Sequence, residues 1–174
     1  MKQTILVTIA AAALLLAFSA GLSGIREDNA RQEREAMLRT LLPGSAEFAE
    51  EAVSDPDSDI RAAYRGETGW VLNPVVPGYA GEISMLVGVS TAGQVTGLVV
   101  RDLQETPGLG RKALTEEVFL AQFLNTDGTA AVGENIDALT GATVTSKAIA
   151  RGVNSAVGYV TGTDTVSGAT VWGG

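Results

Sequence analysis

Two segments of the chain share the pattern D-x-x-(S/T)-G-A-T, and each ends on a threonine hydroxyl. The first, DALTGAT, covers residues 137–143, and the second, DTVSGAT, covers residues 164–170. Small residues at the start of a helix leave backbone N–H groups accessible, and these groups together with the helix dipole favour a phosphate. A threonine in that position could cap the helix, donate a hydrogen bond to a phosphate, or be esterified to one.

The two segments differ in the residues that come after them. Apolar residues at helical spacing predict a helix over 145–160, directly after the first segment. They are Ile149, Val153, Ala156, Val157 and Val160. Only four residues come after Thr170, and alternation there predicts a terminal strand over 165–172. The first segment therefore offers the helix N-terminus, and on the residues alone capping by Thr140 or Thr143 is the favoured interpretation.

The composition removes several classes of chemistry. The 174 residues include no cysteine and no histidine, which excludes disulfides, iron–sulfur clusters, histidine-ligated haem and histidine-based acid–base catalysis. A redox function would need an organic cofactor, and we expect no metal site. The formal net charge of −8 argues against nucleic-acid binding. An apolar content of 45% suffices for one ordinary core.

Residues 4–25 contain no charged side chain and are long enough to cross a hydrocarbon layer of about 30 Å as one helix. We interpret residues 1–25 as a retained transmembrane anchor, because the apolar run is longer than the core of a usual signal peptide. The alternative is a cleaved signal peptide, since Lys2 and the small residues around Ser19 resemble the flanks of one.

The segment after the anchor is rich in helix formers and predicts a helix over 26–42 that ends at Pro43. An acidic connection comes next, with a short helix expected near 46–53. We therefore expect a helical stalk and connection over 26–67 and one domain over 68–174.

Within that domain the apolar pattern changes to alternation. It predicts a hairpin from Ile83 to Arg101 that turns at residues 91–93. A threonine cap followed by acidic residues predicts a helix over 115–124. With a short strand before the helix at 145–160, this order favours an α+β fold with one mainly antiparallel sheet and flanking helices.

Residues 105–110 read ETPGLG and form a second candidate site. Pro107, Gly108 and Gly110 make a constrained loop whose backbone could lie against a flat ligand, while Leu109 could cover an apolar ring. Taken alone, these residues are better explained as a plain strand-to-helix turn.

Taken together, ETPGLG and the stretch IDALTGATVTSKAIARGVNSAV at residues 136–157 resemble the FMN-binding domain family. The resemblance extends over roughly residues 68–160. Within the family, a short chain with one anchor and one domain is most similar to the G subunits of Rnf electron-transport complexes. Relatives often carry histidine where this chain has Leu103, so the resemblance implies no histidine role at the flavin.

The resemblance implies that FMN is joined to Thr143 by a phosphoester bond. It also implies that a magnesium-dependent flavin transferase, which uses FAD, recognises Asp137, Thr140, Gly141, Ala142 and Thr143. No catalytic side chain is implied. The further cofactor-binding residues are Glu105, Thr106, Pro107, Gly108, Leu109, Gly110, Thr140, Gly141, Ala142, Val144, Thr145 and Lys147. Lys147 or Arg151 could offset the phosphate charge, although a solvated helix face explains both residues equally well.

The implied function is that of an electron carrier in a translocase that couples electron transfer between ferredoxin and NAD to ion transport. Its implied partners are the other Rnf subunits, the flavin transferase and the membrane. The FMN-binding domain would lie on the periplasmic side of the cytoplasmic (inner) membrane, held by a single-pass helix. Two alternatives stay open: a free-standing anchored flavoprotein of another electron-transfer chain, and a non-redox anchored binding module.

Overall fold

The computed structural model describes three segments of the chain, residues 28–55, 58–103 and 116–163. The chain divides into two compact units, Met1–Met37 and Leu38–Gly174. The described part of the first unit is helical, and this helix, α1, covers residues 28–41. The predicted anchor at residues 4–25 lies outside the described residues.

Among the helices of the described segments, none is both long enough and apolar enough to span a bilayer.

The second unit is built on a five-stranded sheet whose strands follow the order of the sequence, each antiparallel to the next. The strands are β1 (Ala49–Glu51), β2 (Ile60–Arg65), β3 (Gly69–Pro77), β4 (Glu82–Ser90) and β5 (Val95–Leu103). Two helices come after the sheet, α2 (Glu117–Ala121) and α3 (Thr143–Thr161). The predicted α+β domain with a mainly antiparallel sheet is confirmed.

The predicted hairpin is confirmed as β4 and β5. At its turn the backbone N–H of Ser90 donates to the carbonyl of Gln94 at 2.8 Å, and Gly93 has φ +79°. The alternating apolar residues of β4 point into the main core and are completely buried; they are Ile83, Met85, Val87 and Val89.

Helix α3 covers the core face of the sheet. Its apolar stripe is fully buried in the same core; the residues are Ile149, Val153, Ala156 and Val157. Gly152 allows the close approach, because a Cβ at this position would lie 2.9 Å from the sulfur of Met85. The helix predicted over 145–160 is thus confirmed, and it begins at Thr143, two residues earlier.

The opposite face of the sheet is covered by the end of α1. Leu38, Leu41 and Leu42 form a second cluster with Val71 and Leu86. The hydroxyl of Thr96 donates to the carbonyl of Leu41 at 2.6 Å. Because this helix end lies against β4, the strand is buried on both faces and the simple alternation of the sequence is interrupted there.

The short helix predicted near residues 46–53 is wrong, because this segment contains β1. Tertiary contacts override the helix preference of its residues: Phe48 packs on the second cluster, and Glu51 accepts a hydrogen bond from the Trp70 indole at 3.2 Å. Both β1 and β2 lie within the expected stalk and connection over 26–67, and the division of the chain at residue 68 stays a prediction.

Helix α2 is shorter than the predicted 115–124. Phe119 and Phe123 are buried in an edge-to-face pair with ring centroids 5.3 Å apart, whereas Val118 is 82% exposed. The chain leaves the helix through Asn125, which has φ +64°. The short strand expected before α3 is reduced to one bridge between Val132 and Ile136. The predicted cap at residue 115 and the terminal strand over 165–172 lie outside the described residues.

Candidate functional site

A tight turn joins the first D-x-x-T-G-A-T segment to α3. The backbone N–H of Ala142 donates to the carbonyl of Leu139 at 2.9 Å, and Gly141 within this turn has φ +77°. Residues with a Cβ rarely adopt that conformation, whereas glycine adopts it without a clash. The geometry of the turn therefore accounts for the glycine of the segment.

The first turn of α3 presents backbone donors. The N–H of Ser146 donates to the carbonyl of Ala142 at 2.9 Å, so the amides of Thr143, Val144 and Thr145 precede the helical hydrogen-bond ladder. The helix is 19 residues long and has no acidic residue in its first turn. Such a helix end combines N–H groups with the positive end of the helix dipole, which is the arrangement that binds phosphate.

Thr143 is the first residue of α3, and its side chain is exposed there. Thr140, Gly141 and Asp137 are also exposed, so four of the five residues predicted for recognition are accessible to another protein. Of the other predicted residues, Val144 and Lys147 are half-buried, while Ala142 and Thr145 are buried.

Neither threonine caps the helix, so the capping interpretation of Thr140 and Thr143 is wrong. The turn makes Ala142 the last residue before the helix, with φ −134° and ψ 39°, and no side chain makes a cap hydrogen bond there. Within the described segments, no hydrogen bond engages the Thr143 hydroxyl. The hydroxyl is therefore accessible, and in this part of the chain it does not stabilise the fold through a hydrogen bond.

Ser146 holds the turn from inside and was missed by sequence reasoning. Its hydroxyl is fully buried, accepts a hydrogen bond from the N–H of Leu139 at 3.0 Å, and donates to the carbonyl of Ala142 at 2.9 Å. One side chain thus joins both ends of the turn. The available signal was its position three residues before Ile149, on the face that the apolar pattern buries.

Two amide side chains hold the backbone that leads into the site, and sequence reasoning missed both. Fully buried Asn154 accepts from the N–H of Ala130 at 3.0 Å and donates to its carbonyl at 2.9 Å. Gln122 accepts from the N–H of Asp137 at 2.8 Å and donates to its carbonyl at 3.4 Å. A polar residue beside the apolar stripe of α3 was a signal for Asn154, while nothing in the sequence pointed to Gln122.

The two candidate cations of α3 differ in the groups that they contact. Arg151 forms a two-point ion pair with Asp59, with N···O distances of 2.9 and 3.0 Å. It is therefore committed to a carboxylate, and the expectation that it offsets a phosphate charge is wrong. Lys147 lies one helical turn after Thr143 and is half-buried, so it is the cation of this face nearest in sequence to the helix start.

The loop from Glu105 to Gly110, whose residues are predicted to bind the cofactor, lies outside the described residues, and its role stays a prediction. The second segment at residues 164–170, where we expect no attachment, also lies outside them.

Known proteins resemble this chain over most of its length. A sequence model of the FMN-binding domain matches residues 78–158. The G subunit of the Na⁺-translocating ferredoxin:NAD⁺ oxidoreductase complex of Acetobacterium woodii is 32% identical, over 86% of this chain and 84% of that protein. The G subunit of the ion-translocating oxidoreductase complex of Methanosarcina acetivorans is 31% identical, over 91% of this chain and 90% of that protein. The G subunit of the proton-translocating ferredoxin:NAD⁺ oxidoreductase complex of Clostridium ljungdahlii is 38% identical, over 59% of this chain and 60% of that protein.

The region matched by the family model contains the first segment, the turn and most of α3. The uncapped helix N-terminus that we describe is thus part of the domain named for FMN binding. With two relatives above 30% identity that align along most of both chains, the chain has an FMN-binding domain and belongs to the family of G subunits of ion-translocating oxidoreductase complexes.

Proposed function

We propose that this chain is the FMN-carrying redox subunit of a membrane complex that couples electron transfer between ferredoxin and NAD to ion transport, with FMN attached to Thr143. The observation that supports Thr143 as the attachment site is its exposed hydroxyl at the uncapped N-terminus of α3. This helix start lies within the region matched by the FMN-binding domain. The names of the relatives support the proposal that this chain is a subunit of such a complex. They specify Na⁺ in one case and protons in another, so we propose ion transport without choosing the ion.

The residues of the helix start suit a phosphate ester. The amides of Thr143, Val144 and Thr145 can donate to its oxygens, and the first turn has no carboxylate to repel it. Lys147 can offset part of the negative charge. The turn at Gly141 keeps the approach to this helix end free of a side chain at that position.

The attachment itself requires a separate flavin transferase, because a threonine hydroxyl is a weak nucleophile and the chain has no histidine to activate it. In that step, Oγ1 of Thr143 forms a bond to the FMN phosphorus of FAD. The bond from this phosphorus to the bridging oxygen breaks, AMP leaves with that oxygen, and the hydroxyl proton is released. The step involves no net oxidation or reduction.

Bound FMN would supply the one-electron and two-electron redox chemistry that the side chains of this protein lack. The chain's own residues then hold the phosphate, orient the cofactor and limit its exposure. We propose that the loop from Glu105 to Gly110 contributes by lying against the flavin ring. A covalent bond suits a carrier outside the cytoplasm, because dissociated FMN would be lost there.

We further propose that residues 4–25 anchor the chain in the cytoplasmic membrane, with the FMN-binding domain on the extracytoplasmic side. Reporter fusions after Gly44 test this arrangement. We expect a reporter that is active only in the periplasm to be active, and one that is active only in the cytoplasm to be inactive. The opposite result would show that the proposed topology is wrong.

The attachment is tested by producing the full-length chain with and without a flavin transferase. We expect a mass increase of one FMN less one water, and a yellow colour that survives denaturation, only in the presence of the transferase. A colourless protein with unchanged mass would support the non-redox binding module. Co-purification with the other membrane subunits from the native host separates a subunit of the complex from a free-standing flavoprotein.

A further inference from the structure

The segment between α2 and α3 has little regular structure, yet side chains satisfy much of its backbone. Its bridge between Val132 and Ile136 is isolated. Val95 of β5 bonds to its backbone at Asn125 and Thr126, and turns supply further backbone bonds between residues 131 and 142. Side chains satisfy other backbone groups of the segment. The donors and acceptors come from Gln122, Asn135, Ser146 and Asn154.

Two of these side chains form hydrogen bonds with the first D-x-x-(S/T)-G-A-T segment, residues 137–143, where we propose that FMN is attached. Gln122 pairs with both backbone polar groups of Asp137, the first residue of the segment, at 2.8 and 3.4 Å. Ser146 accepts from the N–H of Leu139, the third residue, at 3.0 Å. Both contacts hold the main chain, while the side chains of Asp137 and Thr143 stay exposed. These hydrogen bonds thus fix the backbone of the segment, while the side chains of Asp137 and Thr143 stay accessible to another protein.

We propose that Gln122 is a positioning residue for flavin attachment: it holds the segment from Asp137 to Thr143 in the conformation that the flavin transferase binds. The inference rests on the proposed attachment at Thr143. It adds that the transferase recognises the folded arrangement of the segment in addition to its sequence. Gln122 acts through Asp137, to which both of its side-chain hydrogen bonds within the described segments go.

Gln122 suits this role better than Ser146 because its contacts are more restricted. The Ser146 hydroxyl is fully buried and also bonds to the first turn of α3, so its removal would disturb the helix. The Gln122 side chain is partly exposed, and both of its hydrogen bonds go to Asp137. Without Gln122, the backbone of Asp137 can bond to water, so the segment loses order at little cost to the fold.

The test measures initial rates of FMN attachment to the full-length chain, purified from cells without the transferase, across a range of acceptor concentrations. Gln122→Met keeps the length of the side chain and removes both hydrogen bonds. We expect kcat/KM to fall about tenfold, mainly through a higher KM, because only part of the population then has the bound conformation. Gln94→Met is the matched control, since it makes the same change at an exposed turn residue.

Gln122→Glu distinguishes positioning from a general loss of structure. It retains an acceptor for the N–H of Asp137, the shorter of the two contacts, and loses the donor. We expect its kcat/KM to lie between those of wild type and Gln122→Met, with the thermal midpoints of all four proteins close together. A Gln122→Met protein with wild-type kcat/KM overturns the inference, as does a Gln122→Glu protein with the full loss.

These results are separable from failure of the proposed function. If the wild-type chain accepts no FMN, or if Thr143→Val accepts it, the attachment site is wrong. If Thr143 is modified in wild type and Gln122→Met reacts equally well, only the role of Gln122 is wrong.

Discussion

Asp59 and Arg151 form a two-point ion pair although they are 92 residues apart in the sequence. Nε of Arg151 lies 2.9 Å from Oδ2 and Nη2 lies 3.0 Å from Oδ1, while the hydroxyl of Ser155 donates to Oδ2 at 3.1 Å. Asp59 immediately precedes β2, and its carbonyl accepts from the N–H of Val75 at 2.8 Å. The pair therefore ties α3 to the sheet and engages a cation that would otherwise be available to the proposed phosphate site.

Arg151→Lys should destabilise the fold without affecting flavin attachment. Lysine keeps the charge and loses the planar fork that matches both carboxylate oxygens, so we expect the free energy of unfolding to fall by about 1 kcal/mol. Urea denaturation measures this change. Arg101→Lys is the control, because Arg101 is exposed on β5 and should tolerate the substitution. Slower FMN attachment in folded Arg151→Lys would contradict the assignment of this arginine to the ion pair alone.

Lys147→Gln should slow flavin attachment by about threefold at low salt, because one positive charge near the helix start is lost. The side chain is half-buried, and glutamine can retain the packing of its stem. The effect should shrink as ionic strength rises, since salt screens the interaction. Attachment rates at two salt concentrations measure it. Arg101→Gln removes the same charge elsewhere; an equal loss in that variant would mean that net charge, and not the position of Lys147, is responsible.

The sequence was sufficient for the elements whose apolar periodicity is long. The alternation in β4 and the helical spacing from Ile149 to Val157 survive in the structure because burial acts on each of these residues. β1 was missed because it is a three-residue edge strand of alanine and glutamate, formed by pairing with β2. Its local preference for helix is weak beside that pairing.

The candidate site was predictable where its residues are consecutive. The motif and the resemblance predict Thr143 and its neighbours. In contrast, Gln122 and Asn154 form hydrogen bonds with residues that lie 15 and 24 positions away in the sequence. Such pairings depend on how α2 and α3 lie around the segment between them. No local pattern encodes that arrangement, so the sequence could not assign these two amides.

Gly88→Ala should destabilise the second unit by about 2 kcal/mol, because a Cβ there would overlap the backbone of Leu41. Gly88 pairs with Gly97, and the end of α1 lies over both residues. Urea denaturation gives the magnitude. Thr96→Val provides a comparison, since it removes the hydrogen bond to the Leu41 carbonyl without adding bulk and should cost about 1 kcal/mol. Wild-type stability of Gly88→Ala would show that Leu41 does not rest on the glycine pair.

Gly108→Val tests the proposed contact between the Glu105–Gly110 loop and the flavin ring. A branched side chain would keep the backbone away from the ring, so we expect a shifted flavin spectrum or midpoint potential with attachment retained. Visible spectroscopy and a redox titration of the loaded protein provide both measurements. If the variant folds and both properties equal those of wild type, the loop does not contact the ring.

Thr143→Val and Thr170→Val decide between the two D-x-x-(S/T)-G-A-T segments. Valine is close to threonine in shape and lacks the hydroxyl, so both variants should fold. We expect Thr143→Val to lose all covalent FMN, because its hydroxyl is the one that lies exposed at an uncapped helix start with free amides beside it. Thr170→Val should keep one FMN per chain. Peptide mapping of the loaded wild-type protein identifies the modified residue directly. FMN recovered on the peptide that contains Thr170, or on the Thr143→Val protein, would mean that the transferase reads the local sequence wherever it occurs and that the helix start does not select the site.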